Sequence, residues 1–222
     1  MILESLPSDQ ALSGRLAEDA DHLVDAVGEL LRFAAEHGPP GLAEEARARE
    51  GEDRSRVEAR LKDWWGDDHR AGEDYLCRAL LRPYVEVLAR RRVAPDRSRP
   101  AGHCPFCGGP PWIAARRAEA DAGSGGRRVL GCALCGGEWP LGRILCPSCT
   151  EWVPEKLPSF QTETYPGVRI EACETCRRYV KSIDLTLDAR AIPEVDDLVS
   201  LAMDLWATEQ GFVRIEPGLA GI

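Results

Sequence analysis

A chain of 222 residues that is 44% apolar is long enough for one large domain or two small ones and too apolar to be disordered throughout. A formal net charge of −9 argues against a general nucleic-acid binder, which carries a basic footprint. No stretch approaches the roughly 18–20 apolar residues of a membrane span, and Met1, Ile2, Leu3, Glu4 and Ser5 lack the basic start of a signal peptide, so the expectation is a soluble cytoplasmic protein.

Residues 1–99 read as a helical domain ending in a basic linker. Leu23, Val24, Val27, Leu30, Leu31 and Ala34 recur at helical spacing, and Gly38, Pro39 and Pro40 stop the run. From Leu42 to about Trp65 the pattern is weaker and densely charged, with Gly51 against one unbroken helix; it reads as a solvated helix or a mobile connection. Tyr75, Leu76, Ala79, Leu80, Tyr84, Val87 and Leu88 form the apolar face of a further helix, in which Pro83 predicts a kink or a break. Cys77, on this helix, reads as a small buried hydrophobe rather than a ligand. Arg90, Arg91 and Arg92, followed by Pro95, Arg97, Arg99 and Pro100, mark a linker.

Beyond this point Gly, Pro and Cys become frequent and the segments between them are short and β-like. Near the end, Pro193, Glu194, Val195, Asp196 and Asp197 open a final helix with an apolar face of Leu198, Leu201, Ala202, Leu205 and Trp206, and Gly211 lies just past it. Residues 191–222 comprise that helix and a tail.

Of nine cysteines, eight form Cys-x-x-Cys pairs: Cys104 with Cys107, Cys132 with Cys135, Cys146 with Cys149, and Cys173 with Cys176. In a reducing cytosol this pattern points to metal rather than disulfides. The first two pairs are separated by 24 residues and the last two by 23, near the usual separation of a four-cysteine zinc site. A shift of 42 residues carries the first pair onto the third, and one of 41 carries the second onto the fourth. This internal repeat favours two modules, 100–142 and 143–190, each a knuckle, a β-hairpin and a knuckle; a crossed grouping of first with third pair is the alternative. Gly108 and Gly136 follow the first two pairs and suit a left-handed knuckle position, whereas Thr150 and Arg177 stand there in the second module and predict less regular knuckles. Four thiolates close a tetrahedral shell, which means structure rather than metal catalysis, and both zinc and iron accept it. His103, beside Cys104, is a superfluous fifth candidate; His22, His37 and His69 suggest nothing. The fold class is therefore α+β: an N-terminal all-helical domain, two tandem zinc-ribbon-like modules, and a C-terminal helix.

The order Cys104-Pro105-Phe106-Cys107-Gly108-Gly109-Pro110-Pro111, Gly131-Cys132-Ala133-Leu134-Cys135-Gly136-Gly137-Glu138-Trp139 and Arg143-Ile144-Leu145-Cys146-Pro147-Ser148-Cys149 is distinctive. It continues with Ile170-Glu171-Ala172-Cys173-Glu174-Thr175-Cys176-Arg177-Arg178-Tyr179, then Val195-Asp196-Asp197-Leu198 and Glu209-Gln210-Gly211-Phe212. Together these resemble the formate dehydrogenase accessory proteins, the FdhE family, over about 101–212; Leu80 to Tyr84 is a weaker match. The resemblance implies an assembly factor rather than an enzyme, which binds the catalytic subunit of formate dehydrogenase in the cytoplasm and is needed for the active enzyme. It also implies rubredoxin-like modules holding zinc or iron, with all eight paired cysteines at the family's ligand positions.

No catalytic constellation stands out, which suits a binding protein. Trp112, Trp139, Trp152 and Tyr179 lie near the knuckles as candidate exposed contacts for a partner, although most are expected to pack over the metal sites or against the C-terminal helix; Arg177 and Arg178 suit an acidic partner or a solvated edge. Two alternatives remain at this point: a tandem ribbon that binds nucleic acid through Arg116, Arg117, Arg127 and Arg128, and a rubredoxin-like electron carrier, which requires iron.

Overall fold

In the computed structural model, which describes residues 12–66, 74–118, 126–218 and 220–221, the helical patterning becomes four helices: α1 (Leu16–His37), α2 (Pro40–Arg49), α3 (Arg54–Gly66) and α4 (Tyr75–Arg91). His69 and Met1 to Ser5 lie outside the described residues. Helix α1 stops at the Gly-Pro-Pro sequence as expected. The charged stretch after it forms two helices, separated where Gly51 turns with φ +82°. Helix α4 runs unbroken through Pro83, so the expected break is absent. Its last turn carries Arg90 and Arg91, whose cations suit a helix C-terminus, and Arg92 caps it in the left-handed region.

Leu16, Leu23, Leu31, Leu61, Leu81, Tyr84 and Leu88 are buried. Asp19 is buried among them, accepting the Tyr84 hydroxyl at 2.6 Å and the backbone N–H groups of Ser13 and Gly14 at 3.0 Å each. The stretch read as a linker is seated on the helices as far as Arg97, whose guanidinium lies 5.1 Å from the Trp65 ring centroid and donates to the Trp65 carbonyl. Residues 1–98 and 99–222 form two separate compact units.

The second unit is built on a seven-stranded sheet. Its strands are β1 (Pro111–Arg117), β2 (Arg127–Cys132), β3 (Glu138–Pro140), β4 (Ser159–Gln161), β5 (Val168–Ala172), β6 (Arg178–Asp184) and β7 (Val213–Arg214). The order is β3-β2-β1-β6-β5-β4, with β7 paired to the start of β6. Each half is an antiparallel meander carrying one repeat. The halves join through parallel pairing of β1 with β6, Ile113 opposite Lys181 to Arg116 opposite Asp184. The two expected modules are thus halves of one sheet.

One sheet face packs on α5 (Pro193–Val199) and α6 (Leu201–Glu209) through a core that includes Ile113, Ile170, Tyr179, Ile183, Met203, Ala207 and Phe212. The expected final helix is therefore two helices, and its expected burial is reversed. Leu198, Ala202, Leu205 and Trp206 are exposed and Leu201 is half-exposed, while Asp197, Ser200, Met203, Asp204 and Ala207 are buried at helical spacing. The reason is Lys181, which lies between Tyr179 and Ile183 on the core-facing side of β6 and is fully buried. A buried ammonium needs anionic partners. Its Nζ bridges Asp204 and lies 3.2 Å from Asp197 Oδ1, and it donates to the Asp197 carbonyl at 2.9 Å. Arg214 from β7 completes the set, 2.6 Å from Asp197 and 3.2 Å from Asp204. Satisfying these charges turns the polar face inward. No helix among the described residues is long and apolar enough to cross a membrane.

Candidate metal centres

All four Cys-x-x-Cys pairs sit in turns of the same construction. In each, the N–H of the first cysteine bonds the carbonyl five residues on: Cys104 to Gly109 at 2.9 Å, Cys132 to Gly137 at 2.9 Å, Cys146 to Glu151 at 2.8 Å and Cys173 to Arg178 at 2.9 Å. The residue after each second cysteine is left-handed and donates back to the first cysteine's carbonyl: Gly108, Gly136, Thr150 and Arg177, with φ 71°, 71°, 62° and 56°. The expectation of less regular knuckles in the second module is therefore wrong. The hydrogen-bonded turn dictates the backbone there even without glycine.

These turns gather two clusters, Cys104, Cys107, Cys132 and Cys135, and Cys146, Cys149, Cys173 and Cys176, each with its four sulfurs within 4.8 Å of one another. The grouping within each repeat is the one observed, and the crossed grouping is not. Sulfur separations are 3.7 Å for Cys104–Cys135, 3.4 Å for Cys107–Cys132, 3.8 Å for Cys146–Cys176 and 3.6 Å for Cys149–Cys173. A disulfide needs about 2.0 Å. A tetrahedral ion with metal–sulfur distances of about 2.3 Å sets sulfur–sulfur edges at about 3.8 Å, so the clusters fit a metal ion. Both are positioned to bind one.

The surroundings support thiolate. Backbone N–H groups of Gly109, Leu134, Cys135 and Gly137 point at cluster sulfurs at 3.4 Å. A Cβ on Gly109 would lie 2.8 Å from the Cys132 sulfur, so the second glycine of the motif makes room for the sulfur cage. Without a cation the crowded thiols cannot all ionise. Cys104 holds Cys107 up, and Cys104, Cys107 and Cys135 together hold Cys132 far above the usual thiol range. Burial likewise pushes up Cys146. A bound cation would reverse this balance.

Glu151 is a residue the sequence reading passed over. Its carbonyl closes the knuckle of Cys146, and its carboxylate accepts the Thr175 hydroxyl at 2.6 Å, tying that knuckle to the one holding Cys173 and Cys176. That bond, with the Val153 and Trp152 N–H groups, lowers its carboxyl to about 2. The available signal was its place in the repeat, where the first module has glycine. His103 stays outside the clusters, its Nδ1 3.1 Å from the Gly108 carbonyl. Cys77 is buried away from them, and burial pushes its thiol up to about 12. Trp139 and Tyr179 are buried and Trp112 is half-buried, while Trp152 is 72% exposed. Of the strand-pair arginines, Arg117 pairs with Glu138 at 2.7 Å, and Arg128 and Arg116 share Glu171 at 2.8 and 3.6 Å. These three present no free basic stripe.

Paired four-cysteine knuckles merged into one sheet, in a chain that also carries an all-helical unit, define a tandem ribbon protein with two candidate metal sites. Residues 144–219 match the family described as "FdhE, C-terminal domain". The chain is 28% identical to the FdhE homologue of Aquifex aeolicus over 86% of this chain and 68% of that one, and 29% identical to the one of Pseudomonas aeruginosa over 94% and 79%. The crystal structure of the FdhE protein from Pseudomonas aeruginosa superposes with a TM-score of 0.62 at 26% identity, covering 98% of this chain and 82% of that one. Along its length the chain is thus similar to FdhE proteins, and residues 144–219 match their C-terminal domain.

Proposed function

We propose that the protein is a cytoplasmic accessory factor, not an enzyme, that binds the catalytic subunit of formate dehydrogenase and is needed for its assembly into active enzyme. The observation that carries this reading is the extent of the likeness to an FdhE protein, which runs through the helical unit and the metal-bearing unit alike. The eight clustered cysteines are its ligands for two zinc or iron ions. Four thiolates around each ion leave no position for a substrate, which supports a structural role. A binding role is supported by α5 and α6, which expose Val195, Leu198, Val199 and Leu205, with Ile192 exposed just before α5; exposed apolar residues gathered on neighbouring turns suit a protein partner.

The test is affinity capture from cells that make formate dehydrogenase, using the tagged chain and its Cys104→Ser/Cys107→Ser variant. Recovery of the catalytic subunit with the wild type and its loss with the variant is expected. No subunit with the wild type, in cells shown to contain it, would overturn the reading. Elemental analysis of the purified chain decides between zinc and iron, with two ions per chain expected.

A further inference from the structure

The sheet face opposite α5 and α6 carries a cleft of about 80 Å³ beside the second cysteine cluster. Arg116 on β1, Arg128 on β2, Arg178 on β6 and Arg143 from the loop after β3 line it, with Glu171 on β5 as its carboxylate. We propose that this cleft binds one small oxyanion, a phosphate or a carboxylate. The proposal does not depend on the partner reading.

Arg116 and Arg128 stand directly opposite each other on paired strands, an arrangement that repels unless an anion lies between them. Glu171 offsets only part of it. Its carboxylate is taken up mainly by Arg128, at 2.8 Å, while Arg116 approaches no closer than 3.6 Å. Among the described residues the Nε of Arg116 is buried with no hydrogen-bond partner, which costs free energy unless something accepts from it. Arg128 is nearly fully buried and is held from behind by the carbonyls of Gly142 and Leu145 at 3.0 and 3.2 Å. Arg178 is steadied by the Ser148 hydroxyl at 3.2 Å and Arg143 by the Gly126 carbonyl. Four guanidinium groups thus face one carboxylate, in a protein whose net charge is −9. Planar, forked donors fixed by their own partners are the usual means of holding carboxylate or phosphate. The volume is several times the roughly 10–15 Å³ that one water needs, which suits an ion of four or five heavy atoms. A competing role is to offset the charge of the metal–thiolate cluster, since Cys146 and Cys173 border the cleft.

The experiment uses the full, metal-loaded chain. Its melting temperature is followed against sodium phosphate and sodium acetate, with sodium chloride at matched ionic strength and pH as reference. A saturable rise over chloride is expected with at least one of them, and the one with the lower Kd assigns the site to a tetrahedral or a planar anion. Arg143→Gln, at an exposed position, and Arg143→Gln/Arg178→Gln should weaken that Kd, the double variant by about tenfold or more, with metal content unchanged. The proposal is overturned if neither anion gives a saturable rise. It is equally overturned if both variants keep the wild-type Kd, or if they lose metal while the anion response persists, which would assign the arginines to the cluster.

Discussion

Thr150 and Arg177 hold a conformation that glycine adopts freely and other residues adopt at a cost of about 1–2 kcal/mol. The two differ in what the side chain returns. The Thr150 side chain is exposed and donates to the neighbouring Cys149 carbonyl, at 2.6 Å, and its branched Cβ makes the left-handed region especially unfavourable. Arg177 bridges Glu174, donates to the Gln210 carbonyl at 2.5 Å and lies 3.9 Å from the Phe212 ring centroid. Thr150→Gly should therefore stabilise the metal-loaded protein by about 0.5–1 kcal/mol, after the entropy that glycine adds to the unfolded chain is subtracted. Arg177→Gly removes the same strain but loses those contacts, and should be neutral or destabilising by about 1 kcal/mol. Denaturant titration of both variants checks the contrast. Equal effects would mean that backbone strain alone governs these positions.

At the scale of elements, what could be read from the sequence was what local spacing encodes. The cysteine pairs and their repeat determine the two clusters, because a turn of four residues and a hairpin of fixed length bring the sulfurs together whatever surrounds them. Helix α1 and its stop were equally local. The inward face of α5 and α6 was not, because it depends on Lys181, a residue of another element, and apolar periodicity pointed to the wrong side. Nor did any local signal foretell the β1–β6 pairing, which joins residues as distant as Ile113 and Lys181. The reversed helices give a sharp prediction. Lys181→Met leaves Asp197 and Asp204 with Arg214 alone as cation and should cost about 3–5 kcal/mol. Leu205→Ser, on the face that periodicity assigns to the core, should change stability by no more than about 0.5 kcal/mol. Chemical denaturation that ranked the two the other way round would show that α5 and α6 pack apolar side down.

At the scale of the whole molecule, the two units draw their stability from different sources. The unit of residues 1–98 has a core of leucines with Tyr84 and Trp65, and among its described residues no metal cluster. The unit of residues 99–222 holds both clusters, at the ends of strands that belong to one sheet. Structural zinc binding contributes about 10–16 kcal/mol in apparent terms, against a net stability of about 5–15 kcal/mol for a typical domain. Metal should therefore decide whether the second unit folds, while burial suffices for the first. Chelation should abolish the near-ultraviolet dichroism of the sheet-borne Trp112 and Trp139 while most of the far-ultraviolet helical signal survives. Because β1 pairs with β6, the halves cannot loosen separately, and Cys173→Ser, aimed at one cluster, should speed chelator capture of the other ion as well. Hydrogen exchange gives the decisive reading. Amides of β1 and β6 should lose protection together in that variant, and retained protection of β1 with β6 open would mean that the modules are independent after all.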